Sequence, residues 1–167
     1  MNSRSSASVV VVLSHYILKC DVPTKGLRLL DFLNDRNVNF MQVENGTLFR
    51  RNDAEPVASS SQTLVVKDNI EMVVLAEETR PGNRGLFYAT VGKRTVSVIV
   101  SLPVSVVEGT VHLKSAKDPN SFLTLEAGAF VPVTNATIHQ LSTATPILKA
   151  SVVIVNKSAV SSLSFAS

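Results

Sequence analysis

The chain has 167 residues, of which 45% are hydrophobic and 17% charged, and its formal net charge is +3 with an isoelectric point near 9.2. This positive excess is too small to indicate nucleic-acid binding by itself, because polyanion binding normally needs Lys and Arg clustered on one face. No segment approaches the roughly 18 consecutive apolar residues of a membrane-spanning helix, so the sequence predicts no helical membrane span.

The first residues of the chain and its cysteine content are used to predict the cellular compartment. Residues 1–8 carry a single arginine, and the apolar run that follows is interrupted before any cleavage site, so we expect no signal peptide. Cys20 is the only cysteine, which excludes an intrachain disulfide and favours a reducing compartment. We therefore expect a cytoplasmic protein, including one peripheral to a membrane complex.

The first half of the chain reads mainly as β-strand with one short helix. β-Branched and apolar residues predict adjoining strands over 8–13 and 16–22. Thr24 is a suitable N-cap for a short helix whose apolar residues fall between 27 and 33.

Further strands are predicted between residues 39 and 77. Asn45-Gly46 separates the apolar runs 39–43 and 47–50, which predicts a hairpin turn because both turn positions need positive φ. A polar loop over 52–61 is expected next, followed by strands at 62–66 and 70–77 on either side of a tight turn.

The second half follows a linker predicted over residues 79–92, which contains Pro81 and Gly82. That segment includes part of an extra hairpin, with strands at 86–91 and 95–102. A shortened helix is expected at 121–126, because Pro119 does not fit a helix interior. The predicted organisation is a first repeat at 1–78, the linker, and a second repeat at 93–167.

The two halves align with each other at a nearly constant spacing. Residues 8–13 match 97–102, and the alignment then carries Phe40 onto Phe130 and Asn45 onto Asn135. After Pro56 is matched with Pro146, the second half has one residue fewer than the first, so Leu64 aligns with Val153. A register that carries Phe, Asn, Thr and Pro together predicts a tandem duplication.

The predicted fold class is mainly β, a β-rich α+β protein with two tandem small β-barrel-like repeats. Each repeat has about five strands and one short helix, and closure into a barrel removes the sheet edges of a unit this small. The conserved phenylalanines of this register are expected in the cores: Phe32, Phe40, Phe122 and Phe130.

Three features of the first repeat resemble the Sm/Hfq-like small-barrel family. These are the opening strand pair, the middle segment containing Asn-Gly, and the closing strands 64–70 and 72–75 around a tight polar turn. Gly109 in the second repeat resembles the strand-two glycine of that family. The helix segment 27–34 is similar to the signature of an uncharacterised bacterial small-domain family, which implies a bacterial source and no assigned activity.

The sequence contains no recognisable catalytic constellation. His15, Cys20, His112 and His139 are too scattered to form a shared metal site, and no Gly-x-Ser-x-Gly elbow or phosphate-binding loop is present. We therefore expect a protein that is not an enzyme and that has no catalytic residues, no cofactor and no metal.

The last 41 residues contain only two charged side chains, Lys149 and Lys157. A small soluble monomer normally carries more surface charge, and a large apolar surface usually marks a contact. The leading hypothesis is a non-catalytic binding or scaffolding subunit that docks on a larger protein assembly or forms a homo-oligomer through the second repeat. The predicted contact residues are Leu141, Ile147, Val160, Leu163 and Phe165.

The alternative is an Sm-like module that binds nucleic acid. The closest approaches to a basic cluster are Arg50-Arg51, Arg80 with Arg84, and Lys93-Arg94. Solvated turn charge explains each of these equally well. The two hypotheses differ in salt dependence, because binding through a basic patch weakens steeply as salt rises.

Overall fold

The computed structural model describes residues 5–75, 94–113, 123, 128–142 and 146–166, and these residues form one open antiparallel sheet of ten strands. The elements of the first half are β1 (Ser6–Leu13), β2 (Tyr16–Pro23), α1 (Leu29–Asn34), β3 (Phe40–Arg50), β4 (Pro56–Val66) and β5 (Ile70–Leu75). Those of the second half are β6 (Arg94–Ser101), β7 (Val106–Leu113), β8 (Phe130–His139), β9 (Ile147–Asn156) and β10 (Ser162–Phe165). The mainly β fold class is thus confirmed.

The strand order is the same in the two halves. Across the sheet the strands run β10-β6-β7-β8-β9-β5-β1-β2-β3-β4. In each half the last strand therefore lies beside the first, and the fourth strand lies at the far side. The halves are joined where β9 pairs with β5, and β4 and β10 are left at the two ends of the sheet.

Ladder positions define which residues correspond between the halves. β3 and β4 pair Phe40 with Val66, while β8 and β9 pair Phe130 with Asn156, so the counterpart of a residue in β3 to β5 lies 90 positions further on. In β1 and β2 the spacing is 89, since β1 pairs Val9 with Cys20 and β6 pairs Val98 with Gly109. We use the word counterpart in this sense below.

One part of the sequence alignment is wrong. The loss of a residue expected late in the second half does not occur, because the 3-10 turn Lys67–Asn69 before β5 corresponds to Lys157–Ala159 before β10. The counterpart of Leu64 is therefore Ile154, one residue beyond the position expected from the sequence.

The hairpin turn predicted at Asn45-Gly46 is also wrong. β3 runs without interruption through both residues, and its ladder with β2 has a bulge at this point. Asn45 has φ 52° and its counterpart Asn135 has φ 47°, so the positive φ is used for a bulge in both halves. A Cβ at Gly46 would lie 3.2 Å from the Leu18 side chain, which explains the glycine there.

The remaining predictions concern the two helices, the polar loop and the linker. The helix of the first half lies at Leu29–Asn34, and the polar loop is shorter than predicted because β4 begins at Pro56. The linker at 79–92 and the strand at 86–91 lie outside the described residues. So does the helix at 121–126, except for Leu123.

Two hydrophobic clusters lie in the sheet, and each draws residues from both halves. The first-half cluster contains Phe130 and Ile154 from the second half, and the second-half cluster contains Met72 and Val74 from β5. Each half therefore contributes to the other's core at the β5–β9 junction.

The phenylalanines predicted to lie in the cores differ in their solvent exposure. Phe130 is buried, as predicted, and Phe32 is partly buried against the first-half cluster. The prediction for Phe40 is wrong, since its side chain is 49% exposed. Phe122 lies outside the described residues.

Candidate partner-binding edges

The β5–β9 junction shows how this fold joins one five-strand block to another. Three consecutive residues of β5, Met72 to Val74, pair with Val155 to Val153 of β9. Successive side chains of a strand point to opposite faces, so the junction is covered on both sides. Met72 and Val74 pack into the second-half cluster, while Ile154 packs into the first-half cluster.

A buried arginine also connects the halves. Arg51, just after β3, donates hydrogen bonds to Glu71 Oε2 at 3.1 Å and to the backbone carbonyl of Leu141 at 3.1 Å. It also donates to the Ser105 hydroxyl, which in turn donates to a backbone carbonyl of the second half. The charge is therefore paired with a carboxylate inside the protein, as a buried charge requires.

Polar contacts from α1 and β9 complete the junction. The Asn34 side chain accepts from the Phe130 backbone N–H at 2.8 Å and donates to the Phe130 carbonyl at 3.1 Å. The Asn156 amide donates to the Ile70 carbonyl at 2.8 Å. The junction thus has ladder pairs, apolar cover on both faces and side-chain hydrogen bonds between the halves, while Glu71 Oε1 is buried without a hydrogen-bond partner.

In the described part of the chain, the strands at the two ends of the sheet pair on one side only. β4 is an 11-residue strand with no Asp, Glu, Lys or Arg, and β10 is also uncharged. Edge strands in natural proteins are usually protected by charges, by shortness or by an overlying element. β10 is short, at four residues, but β4 is long and uncharged, so it is open to pairing with another strand.

Apolar side chains are exposed beside the β4 edge. Leu64 is 62% exposed, whereas its counterpart Ile154, at the covered junction, is 1% exposed. Phe40 is 49% exposed, whereas its counterpart Phe130 is 3% exposed. The same ladder positions are therefore buried where a neighbouring strand block covers them and exposed where none does.

A groove that is lined in part by Leu64 lies beside β4. Its volume is about 360 Å³. Apolar side chains of β1, β2, β3 and β4 line it, among them Leu13, Leu18, Leu48 and Val65. The matching region of the second half is occupied by Met72 and Val74 from β5.

The contact residues predicted from the sequence do not form one exposed surface. Leu141 is buried in the second-half cluster, so the expectation that it faces solvent is wrong. Val160, Leu163 and Phe165 are partly buried against the same cluster. Ile147 is 59% exposed, at the start of β9.

At one ladder position, the lack of charge in the second half has a cause inside the protein. Arg51 and its counterpart Leu141 are both buried, so the loss of charge at this position accompanies burial inside the protein. The signal that sequence reasoning missed is the uncharged β4 segment, which was assigned mostly to a loop.

Two observations describe the metal-ligating and nucleophilic side chains of the described residues. Within residues 5–75, 94–113, 128–142 and 146–166, no three His, Cys, Asp or Glu side chains are grouped to hold a metal ion. Burial raises the pKa of the Cys20 thiol to about 12, with a smaller contribution from Asp21. This thiol is therefore protonated at neutral pH and is a poor nucleophile.

The basic side chains of the first half are partly internal. Arg51 is bound to Glu71, and the Lys67 ammonium donates to the carbonyls of Phe32 and Asp35 at 2.8 and 3.1 Å. Burial lowers the pKa of Lys67. Of the predicted Arg50-Arg51 basic cluster, Arg50 alone is therefore at the surface. Lys93 and the arginines at 80 and 84 lie outside the described residues.

Comparisons with protein-family models, with curated proteins and with solved structures found no match to this chain. In the part of the chain that the structure describes, no helix is both long and apolar enough to cross a membrane.

Proposed function

We propose that the protein is a non-catalytic binding or scaffolding subunit that joins a larger protein assembly by strand addition at an open edge of its sheet. The observation that carries this proposal is the uncharged β4 edge with exposed Leu64 and Phe40 beside it. Strand addition supplies backbone hydrogen bonds along the edge and side-chain contacts on the two faces.

The architecture in this proposal is a tandem duplication of a five-strand unit that resembles the Sm/Hfq-like small barrels but is left open at its fourth strand. The equal strand order of the halves and the positive φ of both Asn45 and Asn135 support a tandem duplication. The short 3-10 turn before the last strand of each half is a further shared feature. We place the protein in the cytoplasm, where a lone buried cysteine stays reduced.

The binding mode differs from the one predicted from the sequence. The second repeat offers only Ile147 as a strongly exposed member of the predicted contact set. Docking is therefore assigned to the sheet edges, and β4 is the principal one.

Two matched variants test this assignment in the full-length protein. Leu64→Lys places a charge on the β4 edge, and Ile147→Lys places the same charge at a site of similar exposure away from it. We expect Leu64→Lys to remove the protein from its native assembly and Ile147→Lys to leave it there, as measured by the size of the tagged protein's complexes in cells. The same retention in both variants would contradict edge docking.

Salt dependence tests the nucleic-acid alternative with the purified assembly. Apolar strand addition is expected to change little between about 0.05 and 0.2 M salt, whereas a protein with several phosphate contacts loses orders of magnitude in affinity over that range. A steep loss of binding together with release of RNA or DNA would favour the alternative.

A further inference from the structure

We propose that the strand added to β4 is β10 of a second copy of this chain, so that chains associate head to tail. This inference rests on the proposed function and names the partner at the same edge. β4 and β10 are the two strands of the described sheet that pair on one side only, and their counterparts β9 and β5 already pair with each other.

The internal junction specifies the register of the proposed contact. Val73 of β5 pairs with Ile154 of β9, and Val74 pairs with Val153. β10 pairs with β6 as β5 pairs with β1, and this equivalence makes Leu163 the counterpart of Val73 and Ser164 that of Val74. The corresponding pairs between chains are Leu163 with Leu64, and Ser164 with Thr63.

One face of this contact is apolar on both sides. In the internal junction, Ile154 and Phe130 pack with Val73 and Ile70 of the first half. In the intermolecular contact, the exposed Leu64 and Phe40 take the places of Ile154 and Phe130. The second copy presents its partly buried Leu163 and Val160, the counterparts of Val73 and Ile70.

The other face is more polar than in the internal junction. Met72 and Val74 are replaced by Ser162 and Ser164, both exposed. A serine introduces no charge into the groove beside β4, but it removes apolar contact. The intermolecular contact is therefore weaker than the internal one, and association depends on protein concentration.

Head-to-tail contacts use two different surfaces of each chain. Such heterologous contacts generate a closed ring if the rotation between neighbours closes, and an open chain if it does not. In a ring every β4 and β10 edge is covered, and in an open chain all but the two terminal edges are. Covered edges need no protecting charges, which accounts for the two uncharged edge strands of this protein.

Disulfide trapping tests the register. Directly paired residues of antiparallel strands have Cα atoms about 4.5–5.5 Å apart, within the range that a disulfide spans. We would mix full-length Thr63→Cys with full-length Ser164→Cys under mild oxidation. The expected product is a disulfide-linked dimer of one chain of each variant, formed more than about tenfold faster than with Ser59→Cys in place of Thr63→Cys.

The assembly state tests the proposal independently of the cysteines. By light scattering, the unmodified protein is expected above its monomer mass of 17.9 kDa. Leu64→Lys is expected to lower association at least about tenfold, which corresponds to about 1.4 kcal/mol, and Ile147→Lys to leave it unchanged.

Two results would overturn the inference. One is a protein that stays monomeric at all concentrations, and the other is trapping as fast at residue 59 as at residue 63. If a monomeric protein still loses its native assembly on Leu64→Lys, edge docking stands and only the second copy as partner is refuted. If Leu64→Lys has no effect in cells either, the proposed function fails as well.

Discussion

β4 and β9 occupy the same place in the two halves of this protein, yet one ends the sheet and the other lies in its middle. β9 is covered by β5, and its Ile154 is buried, whereas the counterpart Leu64 of β4 is exposed. Similar side chains therefore have opposite environments because of what lies next to them. Burial at an edge position is thus decided by the neighbouring strand block.

The largest effect is expected at Arg51, whose counterpart is the apolar Leu141. Arg51→Leu leaves Glu71 as an unpaired buried carboxylate, and breaking a buried ion pair in this way costs about 4 kcal/mol of unfolding free energy. Replacing Glu71 as well, as Glu71→Ser to match its counterpart Ser161, is expected to recover part of that loss. Urea denaturation of the two single variants and the double variant measures the coupling. Additive losses would show that Arg51 and Glu71 do not stabilise the fold as a pair.

The next largest loss of stability is expected at Phe130, whose counterpart in the first half is Phe40. Phe130→Ala removes a ring buried at the junction and is expected to cost about 3 kcal/mol. Phe40→Ala removes a half-exposed ring and is expected to cost about 1 kcal/mol or less in dilute protein. Equal losses in denaturant unfolding would mean that Phe40 is already covered within the monomer.

A smaller effect is expected at the bulge between the second and third strands of each half. A Cβ added at Gly109 would lie 2.5 Å from Val133 Cγ1 and 2.8 Å from the Thr134 carbonyl oxygen. Gly109→Ala is therefore expected to destabilise by about 2 kcal/mol through overpacking. Cys20→Ala, at the counterpart in the first half, is the control and should cost about 1 kcal/mol or less. Thermal unfolding of the two variants measures the difference, and a harmless Gly109→Ala would show that the bulge of the second half relaxes.

The smallest effect depends on pH. Hydrogen bonds from Asn45 at 3.0 Å and Ser8 at 2.7 Å lower the pKa of Asp21 below its ordinary value. Because the folded-state pKa is the lower one, Asp21 contributes stability above pH of about 4, and that contribution is lost as pH falls through the folded-state pKa. The group is mostly solvated, so the contribution is a few tenths of a kcal/mol.

Asp21→Asn checks this pH dependence. We expect its unfolding free energy to fall below that of the unmodified protein at pH 7 and to match it near pH 3. If the two unfolding free energies differ by the same amount at low pH, the ionised carboxylate of Asp21 does not contribute to stability.

Much of the sheet was predictable from the sequence, because strand patterning is local. β-Branched alternation located β1, β2 and β6, and the turn before β5 was recognised. The Asn45-Gly46 assignment failed because positive φ serves a bulge as well as a hairpin turn, and the residues alone do not distinguish them. The start of β4 was missed because its serines read as a loop until β3 pairs with them.

The exposure of Leu141 was mispredicted for a different reason. Leu141 was expected to face outward because the end of the chain is apolar and weakly charged, but it is buried at the position that matches Arg51. Arg51 is buried, and its partners Glu71 and Ser105 come from distant segments. The pairing of β9 with β5 is also long-range, and no local pattern indicates which strands remain at the ends of the sheet. The exposed edge could only be identified from the structure.

Hydrogen exchange of the backbone tests the central claim most directly, because it reports the same ladder positions in the two halves. In dilute protein, the amides of residues 62–66 in β4 are expected to exchange faster than those of residues 152–156 in β9. Raising the protein concentration should slow exchange in β4 and β10 together and leave β9 unchanged. Exchange in β4 that is independent of concentration, or protection of β4 without β10, would contradict head-to-tail association through these edges.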